Sequence, residues 1–102
     1  MRERTTEIKL VMETRKRGGM ALKFISPSYS GMPDRLVLLP DGIMAFVEVK
    51  APGRKPRPLQ NSRHAMLRKM GFPVFVLDNP ENIPGMLDGL AHMKERKGGG
   101  AR

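Results

Sequence analysis

Two apolar runs stand close together near the middle of the chain. Leu36-Val37-Leu38-Leu39 is short and unbroken. The second, residues 43–50, places Ile43, Ala45, Val47 and Val49 on one strand face and Met44 and Phe46 on the other. Pro40-Asp41-Gly42 between them is turn chemistry, so the pattern predicts a β-hairpin. A strand apolar on both faces is a central strand, covered on both sides.

Around this hairpin the periodicity changes from two to 3.6. A helix is predicted from a Thr5 or Thr6 cap to residue 17, burying Ile8, Val11 and Met12 and ending at Gly18-Gly19. Residues 21–26 read as a first strand. After the hairpin, residues 58–70 read as a helix that begins at a proline, ends before Gly71 and buries Leu59, Met66, Leu67 and Met70. Residues 73–78 read as a fourth strand. A strand–helix–strand connection implies a right-handed crossover and a parallel pair. Leu87, Leu90 and Met93, with Ile83 or Met86, suggest a last helix on the sheet. The expected class is α/β, an α-β-β-β-α-β core with a mixed sheet flanked by helices. It forms one domain over residues 1–94, followed by a flexible basic tail over 95–102.

Composition narrows the partners. The chain has 102 residues, enough for one core. It contains no cysteine, which excludes disulfides and thiolate zinc sites. Nine methionines and no tryptophan suggest a Met-filled core. With no apolar run of membrane-spanning length and no visible signal peptide, the expected location is the cytoplasm and no membrane partner is expected. The formal net charge is +9. Lys50, Arg54, Lys55, Arg57, Arg63, Arg68 and Lys69 fall in a stretch without a single acid, which points to a phosphate-rich partner.

The chemistry follows from folding the hairpin. Asp34 precedes the first strand, while Glu48 and Lys50 lie near the end of the second, so closure brings them together. Glu48 and Lys50 share a face. Two carboxylates about 4 Å apart repel by roughly 4 kcal/mol at an effective dielectric of 20. Such a pair persists when one takes a proton or a cation sits between them. Oxygen donors in a partly open site suit Mg²⁺ or Mn²⁺. Lys50 adds positive charge without being a ligand. Arg54, Lys55 and Arg57 occupy a proline-rich loop beside this site and make a plausible phosphate clamp. Gln60 and Arg63 lie near the start of the following helix. Ser28, Tyr29 and Ser30 lie on a polar loop that either contacts the nucleic-acid backbone or is a plain connection. Glu7 either complements the dipole of the first helix or reaches the site as a further carboxylate. His64 reads as a surface residue and is assigned no chemistry.

In order and spacing, Glu7, Gly31-Met32-Pro33-Asp34, Phe46-Val47-Glu48-Val49-Lys50-Ala51-Pro52-Gly53 and Pro58-Leu59-Gln60 resemble the stand-alone VRR-NUC domain of the PD-(D/E)xK nuclease superfamily. The resemblance spans roughly residues 1–90. It implies a restriction-endonuclease-like core and a phosphodiester hydrolase dependent on Mg²⁺ or Mn²⁺. Asp34, Glu48, the Val49 carbonyl and Glu7 would hold metal, Lys50 would act on the water or the transition state, and Gln60 would position that lysine or the water. Small members of this type suggest a homodimer that cuts four-way DNA junctions in a bacterial or phage-infected cell. The alternatives are a nuclease of flaps, nicks or ends, and a basic nucleic-acid-binding protein without catalysis.

Overall fold

Arg35–Leu39 (β2) and Ile43–Val49 (β3) form the predicted hairpin in the computed structural model, which describes residues 3–100, with side chains through Met93. A 3-10 turn, Pro40–Gly42, joins them. Asp41 at φ 69° and Gly42 at φ 75° are both left-handed, the conformation asparagine, aspartate and glycine tolerate best.

The sheet has the order β1-β2-β3-β4, with β1 at Met20–Lys23 and β4 at Val74–Leu77. β1–β2 and β2–β3 are antiparallel, and β3–β4 is parallel. The crossover between β3 and β4 is α2, Pro58–Lys69. β3 is therefore an interior strand, as its two apolar faces require. Ala45, Val47 and Val49 are fully buried on one side. Phe46 on the other meets Phe24 and Phe72 edge to face, with ring centroids 5.7 and 6.1 Å away.

α1, Glu3–Lys16, begins earlier than the threonine cap suggests and buries a different face. Thr6, Leu10 and Thr14 are buried, whereas Ile8 and Met12 are about half exposed. The reason is local. The Thr14 hydroxyl donates to the Leu10 carbonyl at 2.7 Å, so a polar side chain enters the core with its donor satisfied. α2 keeps part of its expected face and loses its ends. Leu59 and Met70 are exposed, while His64 and Leu67 are buried.

α3, Ile83–Gly100, lays Ile83, Leu87 and Leu90 into the core, with Met86 and Met93 packed against it. Each fully buried leucine or isoleucine contributes about 1.5–3 kcal/mol. This helix runs into the stretch expected as a flexible tail. Side chains from residue 94 onward, and residues 101 and 102 altogether, lie outside those described. Among the described residues, no helix is long and apolar enough to cross a membrane.

Candidate active site

The hairpin register builds the site. Arg35 pairs with Val47, so one step further the chain sets Asp34 opposite Glu48. Asp34 Oδ1 accepts the Val49 backbone N–H at 3.2 Å, which ties the end of β3 to the residue that opens β2. On its other side β3 continues into β4 pairing, with the Lys50 N–H donating to the Leu77 carbonyl at 2.8 Å. Asp34, Glu48 and Lys50 are thus held by backbone geometry at one end of the sheet.

Glu48 is 3% exposed, far more buried than a carboxylate ordinarily is. Its Oε2 accepts from Gln60 Nε2 at 3.0 Å and lies 3.4 Å from Lys50 Nζ. Gln60 is anchored at both ends of its amide, because its Oε1 accepts the Arg57 backbone N–H at 2.9 Å at the start of α2. Its side-chain partner at the site is Glu48 itself, on the oxygen that also faces Lys50. Burial and the charge of Asp34 push the Glu48 carboxyl above its ordinary range, against the opposing pull of Lys50 and Gln60. Burial likewise raises Asp34, with smaller contributions from Glu7 and Glu3, while the Val49 N–H and Arg35 pull it down.

Glu7 is close enough to raise Asp34, but its hydrogen bonds go elsewhere. Arg35 donates to Glu7 Oε1 from Nη2 at 3.0 Å and from Nε at 3.2 Å. Glu7 is thus paired with the Arg35 guanidinium beside the site. Among the described residues, no three His, Asp or Glu side chains converge as a ready metal cage. The donors offered at the sheet end are all oxygen, from Asp34, Glu48 and the adjacent main chain, and their mutual repulsion is of the kind a hard divalent cation relieves.

Beside Lys50 a cleft of about 470 Å³ is lined by Glu3, Lys50, Ala51, Arg54, Lys55 and Arg57. The proline-rich loop thus presents its three exposed basic residues next to the catalytic lysine candidate. Ser28 and Ser30 are exposed on the loop before Asp34. Arg63 is used to hold that loop. Its Nε donates to the Ser30 carbonyl at 2.8 Å, and its guanidinium lies 4.0 Å from the Tyr29 ring centroid.

His64 corrects the expectation of a surface residue, for it is 1% exposed. Its Nε2 lies 3.8 Å from Glu48 Oε1, and neither atom has a hydrogen-bond partner. Burial, with Arg68 and Lys50 nearby, lowers the tendency of the imidazole to protonate. One signal in the sequence marks this position: it lies one helical turn after Gln60, on the same face.

Known proteins are similar to this chain in sequence and fold. The model of the VRR-NUC domain matches residues 6–79, from the buried face of α1 through β4. A phage protein named "Putative nuclease p44", from Acyrthosiphon pisum secondary endosymbiont phage 1, is 53% identical over 81 residues, covering 79% of this chain and 87% of that one. A solved structure of a VRR-NUC domain superposes with a TM-score of 0.79 at 33% identity, over 84% of this chain and 94% of its own. The matched span contains Asp34, Glu48, Lys50 and Gln60, and the chain belongs to the VRR-NUC family of nuclease domains.

Proposed function

We propose that this nuclease is a divalent-metal-dependent endonuclease that hydrolyses phosphodiester bonds in branched DNA, with four-way junctions as its substrate. The observation that carries the metal-dependent reading is the pairing of Asp34 and Glu48 across the hairpin end, with Lys50 on the same carboxylate and a basic cleft alongside. Binding nucleic acid alone gives no reason to set two acids toward phosphate.

Asp34, Glu48 and the Val49 carbonyl would hold Mg²⁺ or Mn²⁺, and Glu7 would join them by leaving Arg35. When bound, the ion supplies Lewis acidity at the phosphate and a water of lowered pKa. The protein's own part is positional. Gln60 keeps the Glu48 carboxylate oriented from the start of α2. Lys50 sets a positive charge where the pentavalent phosphate develops its negative charge. Arg54, Lys55 and Arg57 hold flanking phosphates, and Ser28, Ser30 and Arg63 border the path of the strand.

One site cuts one strand, so resolving a junction calls for a two-fold homodimer. The apolar residues of α3 that could suit such an interface, Met86, Leu90 and Met93, pack in or against the chain's own core. That observation favours a second reading, a nuclease of flaps, nicks or ends acting as a monomer. Labelled junction, flap, nicked and plain duplex DNA, incubated with Mg²⁺, Mn²⁺ or EDTA, distinguish the two when combined with the mass in solution at micromolar concentration. A dimer that cuts the junction in paired, symmetric positions is expected. A monomer that cuts flaps or ends and leaves the junction intact would replace the first reading with the second.

A further inference from the structure

Glu48 and His64 each bury one polar atom that nothing else in the structure satisfies. Glu48 Oε1 and His64 Nε2 are both cut off from solvent, and they face one another at 3.8 Å. A hydrogen bond of this type closes at about 2.7–3.2 Å, so a shift of under about 1 Å joins them. Leaving either group unmet costs about 1–3 kcal/mol, which favours that shift. His64 is also placed for the purpose. It lies one turn after Gln60 on α2, so the same helix face reaches Glu48 twice.

We propose that His64 is a positioning residue for Glu48, donating its Nε2–H to Oε1 while Gln60 and Lys50 hold Oε2. With both oxygens engaged from α2 and Lys50, the carboxylate plane cannot turn away from Asp34. Oε1 then accepts one bond and keeps a second lone pair, so the contact leaves Glu48 able to bind a cation through that oxygen. Groups that orient a metal ligand in this way change affinity or turnover by about 10–100-fold when removed. The kinetic part of the inference rests on the metal-dependent nuclease reading.

The test compares His64→Gln, which keeps an N–H of similar reach, with His64→Leu and His64→Met, which fill the space without a donor. Mn²⁺ binding to the protein alone is measured by calorimetry. kcat and KM are measured on cleavable DNA at saturating Mn²⁺, and melting confirms that each variant is folded. The Leu and Met variants are expected to lose about 10–100-fold in Mn²⁺ affinity or kcat, with KM for DNA within about two-fold of the starting protein. The Gln variant is expected to stay within about three-fold, a rescue that a pure packing role would not produce. Folded Leu and Met variants that bind Mn²⁺ and turn over within two-fold of the starting protein would overturn the proposal. So would a Gln variant that falls as far as they do. A starting protein that cuts no DNA with any metal overturns the nuclease reading instead, and the calorimetry still judges His64.

Discussion

Gly31→Ala isolates how tightly the loop before Asp34 is fitted to α2. Gly31 has φ 87°, and a Cβ there would sit 2.8 Å from Leu59 Cγ, 3.1 Å from Arg63 Cγ and 3.2 Å from the Leu59 carbonyl oxygen. Gly53 has a similar φ of 78°, but nothing lies within 4 Å of where its Cβ would be. Both substitutions force alanine into a left-handed conformation, at about 1–2 kcal/mol. Stiffening of the unfolded chain offsets roughly 0.4–1 kcal/mol of that in each case. Only Gly31→Ala adds overpacking, about 1–3 kcal/mol, because the Leu59 backbone cannot move aside as a side chain would. The expected losses are therefore about 1 kcal/mol for Gly53→Ala and about 3 kcal/mol for Gly31→Ala. In a domain of this size that is roughly 5 °C against roughly 15 °C in melting temperature. Thermal unfolding followed by circular dichroism reads the difference. Cleavage measured well below both transitions should also fall in Gly31→Ala, since pushing α2 off the loop displaces Gln60 from Glu48. Melting temperatures within about 2 °C of each other would show that the close approach carries no energy and that the loop is not seated as described.

Glu48→Gln should abolish cleavage and, in EDTA at pH 7, melt above the starting protein. The Glu48 carboxyl is raised in the folded state above its ordinary 4.5, so the folded protein holds the proton more tightly than the unfolded chain does. Stability is therefore lost as pH climbs from the unfolded value through the folded one, and the penalty is complete above it. A lower melting temperature for the variant at pH 7 would refute the net repulsion. Lys50→Ala should lower kcat by about 10²–10³-fold while Mn²⁺ binding to the protein alone is unchanged, and lost Mn²⁺ binding would give the lysine a different role. Replacing Arg54, Lys55 and Arg57 together should make the slope of log K against log salt shallower by up to about 2.7, at about 0.9 per phosphate contact on duplex DNA. An unchanged slope would move the nucleic-acid surface away from the cleft beside Lys50.

The hairpin and its acids are legible in the chain because strand alternation and a Pro-Asp-Gly turn leave little freedom in register. Once Arg35 faces Val47, the meeting of Asp34 and Glu48 follows. The helices are less transparent. Apolar spacing marks Ile8 and Met12 as buried in α1, yet Thr6, Leu10 and Thr14 take the buried face, and for Thr14 the reason is that a helical threonine can satisfy its hydroxyl on its own backbone. His64 is hidden for a related reason. A histidine among polar residues reads as solvated, and only the arrival of Glu48 beneath α2 gives it something to face. Gln60 is legible as a member of the site, but its amide is claimed by the start of its own helix as well as by Glu48, a division that spacing alone does not reveal. The apolar residues of α3, by contrast, pack on the sheet as their spacing suggests.

The parallel pairing of β3 with β4 has a consequence for when the site comes into being. The acids meet through a local hairpin, the kind of contact that forms within about 1–10 μs. Gln60 and His64 reach Glu48 only once α2 has crossed over, and α2 is tied to β4 by Arg68, whose Nη2 donates to the Val74 carbonyl at 2.8 Å. A growing chain therefore exposes its charged hairpin and basic loop before it owns an oriented carboxylate. An oriented Glu48 is thus expected to be a property of the finished sheet, and a fragment ending before Val74 is expected to carry the basic loop without it.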